Sequence, residues 1–225
     1  MTLVQAARAS FYWTIKGLAW PVTRTYSRLR VRGLEHVPRR GACIIVANHT
    51  SYADAVVLGS ACPRRISFLI TAPIYRLNRL RWFYYMMGAI SVSPDAADPG
   101  ALKAALRTLR EGRVVGIFPE GQRMGDARLG SGKAGVSLLA SRGKVPVIPA
   151  AIIGAHEAMP IGSVVPRPRP IRVVFGRPLE FPATDGNRPS REQLNAFANQ
   201  VMRAIAALMP GNGEVPAGDG IRSAP

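Results

Sequence analysis

The stretch Asn48-His49-Thr50-Ser51-Tyr52-Ala53-Asp54 holds a histidine and, five residues on, the nearest carboxylate. A neutral imidazole can take the proton of an alcohol as its oxygen attacks a carbonyl. A carboxylate on the other ring nitrogen fixes the tautomer and holds the imidazolium that forms. Helical geometry alone does not join the two, because five residues turn through about 500°. A tight turn ahead of a helix has to fold Asp54 back. On spacing alone, a loop histidine beside a helix-capping aspartate accounts for the pair equally well. A second group is Phe118-Pro119-Glu120-Gly121-Gln122-Arg123. Gly121 permits a turn closed to other residues, amides exposed there can meet an anion, and Arg123 can fork onto a phosphate. Glu120 does not bind phosphate itself and is suited to orient Arg123 or an acceptor hydroxyl. Lys133, opening the next helix, can add charge near the same anion. An ordinary turn with a surface ion pair, and a solvated lysine, are the plainer alternatives. No Gly-x-Ser-x-Gly elbow occurs, so the expected chemistry is direct group transfer with no covalent enzyme intermediate.

Both groups follow apolar runs that read as buried strands, and the C-terminal ends of strands are where an open α/β sheet binds ligands. Strands are expected near 42–47, 66–70, 88–93, 113–118, 145–153 and 170–176. Helices are expected near 53–61, 99–111, 132–142 and 190–208. Pro99 suits the first turn of its helix. Ser190-Arg191-Glu192-Gln193 is a capping box, followed by a stripe of Leu194, Phe197, Val201, Ile205 and Leu208 that needs a core to face. The alternation predicts an α/β fold with a mostly parallel sheet flanked by helices, plus an N-terminal amphipathic helical arm. The expected division is a membrane-associating arm over 1–38, a catalytic domain over 39–209 and a disordered tail over 210–225.

The arm is read from residues 2–31, where Val4, Phe11, Ile15, Leu18, Val22, Tyr26 and Leu29 recur at helical spacing. Pro21 is expected to divide this run into two short helices. Either the helix packs on the core with its basic residues in water, or it lies in a membrane surface. The Trp-plus-Arg pattern, with Trp13 and Trp20 as interface-seeking aromatics, favours the second. The chain of 225 residues carries a net +17, with 30 basic residues of which four are Lys. A GC-rich genome also favours Arg codons. Residues 1–40 hold eight basic residues against Glu35, and residues 64–81 hold five and no acid. Both stretches also contain large apolar and aromatic residues, which suits a lipid interface better than a nucleic-acid groove. A basic nucleic-acid-binding domain is the alternative from another class, but no nucleic-acid motif is present.

No run is apolar and long enough for a membrane span, and no secretory signal is visible. Two cysteines without Cys-x-x-Cys spacing argue against a disulfide framework or zinc site and for a reducing compartment. The expected location is therefore peripheral, on the cytoplasmic face of the cell membrane. Trp82-Phe83-Tyr84-Tyr85-Met86-Met87 can line a groove for an apolar chain or sit in the interface, but buried core is the commoner use of such residues.

Three blocks in order carry a family resemblance: Asn48-His49-x4-Asp54, Phe118-Pro119-Glu120-Gly121-x-Arg123 and Val145-Pro146-Val147-Ile148-Pro149. They resemble the glycerolipid acyltransferases, over roughly residues 35 to 180. The resemblance implies His49 as general base on the acceptor hydroxyl and Asp54 as its orienting partner. Glu120, Gly121 and Arg123 would bind a glycerol phosphate, with Asn48, Ser51 and Lys133 counted beside them as substrate-binding. The strand Val145–Pro149 would help line the acyl-donor site. It implies no metal or cofactor; the co-substrate would be acyl-CoA or an acyl carrier protein thioester. The expected acceptor is a lysophospholipid, first 1-acyl-sn-glycerol 3-phosphate, and the partner an anionic membrane surface rather than nucleic acid. The chain departs from the family in Gly88-Ala89-Ile90-Ser91-Val92-Ser93-Pro94-Asp95, where Pro94 stands in place of an Arg implicated in phosphate binding. Either another Arg substitutes, or the acceptor lacks the usual glycerol phosphate, which opens other lysolipids such as a lyso-aminolipid; glycerol 3-phosphate is a separate alternative acceptor.

Overall fold

A computed structural model describes residues 3–77, 79–93, 98–119, 135–160, 162–163, 165–183 and 188–210. In chain order the elements are α1 (Leu3–Thr25), β1 (Arg30–Arg32), a 3₁₀ turn at Leu34–His36, β2 (Cys43–Ala47), α2 (Asp54–Ala61), β3 (Ile66–Thr71), α3 (Ala72–Tyr75), α4 (Arg81–Met87) and β4 (Ile90–Val92). There follow α5 (Pro99–Arg110), β5 (Val114–Ile117), α6 (Gly135–Gly143), β6 (Val147–Ile153), α7 (Ala155–Ala158), β7 (Arg172–Phe175) and α8 (Arg191–Ala207). The strands form one seven-stranded sheet in the order β1-β7-β6-β2-β5-β3-β4. Neighbours run parallel except β6 and β7, which are antiparallel.

The centre of the sheet is β2, every residue of which is buried. Alternation along it feeds two cores. Cys43, Ile45 and Ala47 join Val57, Leu58 and Phe175 on the α2 side. Ile44 and Val46 join Leu109, Leu139, Phe197, Val201 and Ile205 on the side of α5, α6 and α8. The strand is continuously apolar because both faces are covered, as parallel sheets require. The capping box at Ser190 and Gln193 is formed, and the buried face of α8 is the stripe its periodicity announced.

Three expectations are corrected. Pro21 does not divide the N-terminal run: α1 is one helix through it. A proline denies a partner to the carbonyl four residues back, here that of Gly17. Both residues are on an exposed side, so that carbonyl meets water instead of apolar packing. The helix ends farther on, where Thr23 and Thr25 hydroxyls donate to the carbonyls of Trp20 (3.0 Å) and Pro21 (2.7 Å). Secondly, the expected arm over 1–38 is not separate from the domain. Tyr12 is in the core with its hydroxyl accepting from Ile66 N at 3.2 Å, and β1 pairs with β7 as an edge strand of the main sheet. Burial pushes the Tyr12 phenol up to about 12. Thirdly, the Trp82–Met87 run is a short helix with no buried residue. It packs through Phe11, whose ring lies 5.7 Å from Trp82 and 6.0 Å from Phe83, and it leaves Trp82 59% and Tyr85 47% exposed. Being only two turns long and laid over α1, it cannot enter the core. The expected tail beyond residue 210 lies outside the described residues.

Candidate active site

His49 and Asp54 meet. After β2 the chain turns so that Asp54 N donates to Ser51 O at 3.3 Å, which brings the first residue of α2 back under the strand end. Asp54 Oδ2 then accepts from His49 Nδ1 at 2.8 Å, from Thr50 N at 2.6 Å and from Ser51 N at 2.8 Å. The carboxylate thus fixes both the imidazole and the loop that carries it. Asp54 is fully buried, whereas the His49 side chain is 18% exposed. With Nδ1 donating to the carboxylate, Nε2 carries the lone pair. That is the arrangement a base needs, with its second nitrogen held.

The loop is pinned from below by the side chains beside His49. Asn48 Nδ2 donates to Ile152 O at 2.9 Å and its Oδ1 accepts from Ile152 N at 2.7 Å. Ser51 Oγ donates to Met159 O at 2.7 Å and accepts from Ala53 N at 3.1 Å. Both residues are buried. Their expected contact with substrate is therefore corrected: these side chains tie the His49 loop to β6 and to the residue after α7.

A stack that spacing did not announce backs the imidazole. Phe118, just after β5, lies 4.3 Å from the His49 ring at 19°, and Phe68 of β3 lies 5.7 Å from Phe118 at 2°. Gly116 makes the room: a Cβ there would fall 2.6 Å from Phe68 Cδ1 and from Ile66 Cγ2. Gly116-Ile117-Phe118 and Phe68 were present in the sequence, but nothing in it said that β3 and β5 adjoin with Phe68 beside Gly116. Since β2 and β5 are parallel neighbours, their ends lie side by side, and the chain runs from Phe118 and Pro119 directly into the Glu120–Arg123 segment. Glu120, Gly121, Arg123 and Lys133 lie outside the described residues, as does Pro94. The two thiols are buried, and burial pushes Cys43 up to about 11 and raises Cys62 as well. Neither offers a ready thiolate.

The sequence profile of the family described as Acyltransferase matches residues 28–153. The chain belongs to the acyltransferase family. The matched span runs from β1 through β6 and so contains the His49–Asp54 pair and its supports. Among acyltransferases, the chain is 27% identical over 182 residues to the 1-acyl-sn-glycerol-3-phosphate acyltransferase of Bacillus subtilis, covering 80% of this chain and 87% of that one. It is 31% identical over 153 residues to the chloroplastic 1-acyl-sn-glycerol-3-phosphate acyltransferase BAT2 of Brassica napus, covering 66% of this chain and 44% of that protein. The chain thus spans less than half the length of the Brassica relative. In fold it resembles the crystal structure of the 1-acyl-sn-glycerophosphate acyltransferase PlsC of Thermotoga maritima, with a TM-score of 0.72 at 24% identity over 92% of this chain and 83% of that one.

Proposed function

We propose that this protein is an O-acyltransferase that moves a fatty acyl group from a thioester to the free hydroxyl of a lysophospholipid, first 1-acyl-sn-glycerol 3-phosphate, giving phosphatidic acid. The observation that carries the reading is the His49–Asp54 pair at the end of the central strand, beside the strand end that leads to Arg123. His49 Nε2 takes the proton of the acceptor hydroxyl while its oxygen attacks the thioester carbonyl. The tetrahedral intermediate collapses, the C–S bond breaks, and the imidazolium returns the proton to the leaving thiolate. Asp54 holds the ring and its developing charge throughout. Glu120, Gly121 and Arg123, with Lys133, bind the acceptor phosphate in this scheme, and the β6 strand helps line the donor site. The scheme calls on no metal or prosthetic group; acyl-CoA or acyl carrier protein brings the acyl group as co-substrate.

The membrane is the second half of the proposal. Val4, Leu18 and Val22 fall within about 40° of one another on a helical wheel, and they are 52%, 65% and 59% exposed. Phe11 shares that side and touches Trp82 of α4, so the exposed Trp82 adjoins the stripe, and Leu80 and Leu77, just before it in the chain, are exposed as well. Trp13 lies on the far side of the wheel and is not part of it. Arg76, Arg79 and Arg81 flank the apolar surface, each adding ~1 kcal/mol at an anionic leaflet. No helix among the described residues is long and apolar enough to cross a membrane, so the reading is a peripheral enzyme lying on the cytoplasmic face. Pro94 in place of an Arg implicated in phosphate binding supports a second acceptor reading, another lysolipid such as a lyso-aminolipid; glycerol 3-phosphate is a further alternative acceptor that does not rest on that departure.

An acyl-transfer assay over a panel of lysolipids and glycerol 3-phosphate, with CoA and carrier-protein donors and His49→Ala as blank, tests the activity and chooses the acceptor. Turnover by His49→Ala equal to wild type would remove the mechanism. Cosedimentation with anionic vesicles against binding to duplex DNA tests the surface.

A further inference from the structure

At the end of the sheet opposite His49, four arginines converge with too little acid to match them. Arg65 immediately precedes β3 and Arg113 immediately precedes β5, while Arg8 comes from α1 and Arg107 from α5. Because β2, β5, β3 and β4 are parallel, strand starts lie far from strand ends. The run from Arg113 to Phe118 spans ~16 Å at the rise of a strand. A cavity of about 240 Å³ opens beside the edge strand β4, lined by Arg8, Arg107, Arg113, Tyr75 and Tyr85 together with residues 88–91. That is several times the ~30 Å³ a water takes up in the liquid.

The guanidinium groups are held and underused. A Cβ on Gly88 would lie 2.8 Å from Arg65 Nη2 and 3.4 Å from Arg8 Nη2, so two cations reach the same spot. The ring of Tyr85 lies 4.7 Å from Arg8 Cζ and that of Tyr12 lies 5.5 Å from Arg65 Cζ, which orients both groups. Arg65 Nη2 makes a long 3.4 Å bond to Met86 O. The Nε atoms of Arg8, Arg65 and Arg113 are buried with no hydrogen-bond partner among the described residues. Burial, then the charges of Arg8 and Arg113, bring the Arg65 guanidinium down to about 10. Glu111, 2.5 Å from Arg113 Nη2, is the one carboxylate paired with the cluster among the described residues. Asp98 is spent as the cap of α5, accepting from Ala101 N and Ser93 N. Like charges gathered in a partly dry cavity, with donors left open, are what an anion with several acceptor oxygens relieves.

We propose that this cavity binds a phosphate group at a site separate from the catalytic centre. A free phosphate ion and the headgroup phosphate of an anionic phospholipid offer the same chemistry. The second is geometrically at hand, because Arg8 and Tyr85 belong to the two helices that expose the apolar stripe. The test titrates inorganic phosphate into the full-length protein by calorimetry, with Arg107→Gln, Arg113→Gln and, as control for the acceptor site, Arg123→Gln. The Arg107 side chain is exposed, so its loss spares the packing. The expected result is saturable binding weakened by roughly tenfold or more in either cavity variant and retained in Arg123→Gln. Arg107→Gln is expected to keep acyl transfer to a water-dispersed acceptor at the wild-type rate. Flotation with equimolar phosphatidylcholine–phosphatidylglycerol vesicles against phosphatidylcholine alone distinguishes the sources. Weaker binding of Arg107→Gln to the anionic vesicles alone assigns the site to a headgroup, and an effect confined to the phosphate titration assigns it to the free ion. Phosphate affinity and vesicle binding unmoved by both cavity substitutions, or phosphate binding abolished only by Arg123→Gln, would overturn the proposal.

Discussion

The end of β2 and the pair α1–α4 treat their side chains in opposite ways. At the end of β2, one carboxylate oxygen serves three donors, Asn48 is bonded twice to Ile152, and an aromatic stack closes the side. Only the edge of His49 is left open. On α1 and α4, the large residues are spent outward: Leu18 is 65% and Trp82 59% exposed, and the helices meet through Phe11 against Trp82 and Phe83 and through Arg8 over Tyr85. A base must be held within a narrow geometry, and dense pairing does that. A surface that enters lipid must keep its apolar area free, at a cost in water that only a partner recovers. In the proposed reading, one region is closed around the base and the other keeps apolar area free for a membrane surface.

Substitutions that invert this contrast should separate chemistry from membrane binding. The largest effect is expected for His49→Ala, with acyl transfer slowed by ~10²–10⁴ and vesicle binding intact. Asp54→Asn is expected to slow turnover by roughly two orders of magnitude by releasing the imidazole tautomer. Asp54→Ala should in addition lower stability by about 1–3 kcal/mol, since Thr50 N and Ser51 N lose their acceptor; a denaturant titration reads this. Gly116→Val is expected to drive Phe68 off its place and cost about 1–3 kcal/mol, with a smaller loss of turnover as the stack under His49 loosens. If turnover tracks stability alone, the stack has no part in positioning.

Leu18→Glu or Trp82→Glu should leave transfer to a water-dispersed acceptor unchanged and weaken vesicle binding by about tenfold. Equal vesicle binding by these variants would end the contrast drawn here. The smallest effect concerns the thiols. With Cys43 raised to about 11 and Cys62 raised too, both by burial, the neutral thiol dominates at neutral pH. An alkylating reagent should modify the denatured chain and leave the native enzyme active and unlabelled.

Much of this is legible in the sequence. The strand ahead of His49 is apolar throughout because it is covered on both faces, and such a run has few other readings. The α8 stripe and its capping box are local signals, and local signals survive folding. Elements without periodicity leave no mark in the sequence: β1 and α3 are too short to show a pattern, and α4 is seven residues with large rings or Met at every position after Arg81. The Trp82–Met87 run looked like core because burial is the usual fate of such residues. Its exposure depends on what α1 already covers, which no local window contains.

The sequence by itself determined that a histidine follows a buried strand with an aspartate five residues on, and that Phe118 and Pro119 follow another. Tertiary structure alone decided that those two strands are neighbours, that Asp54 swings back through a turn to reach Nδ1, and that Asn48 and Ser51 face inward as pins. The reason is that strand order and loop closure are set by contacts between segments far apart in the chain. Ile152 lies a hundred residues from Asn48, and only the folded sheet brings the two within a hydrogen bond.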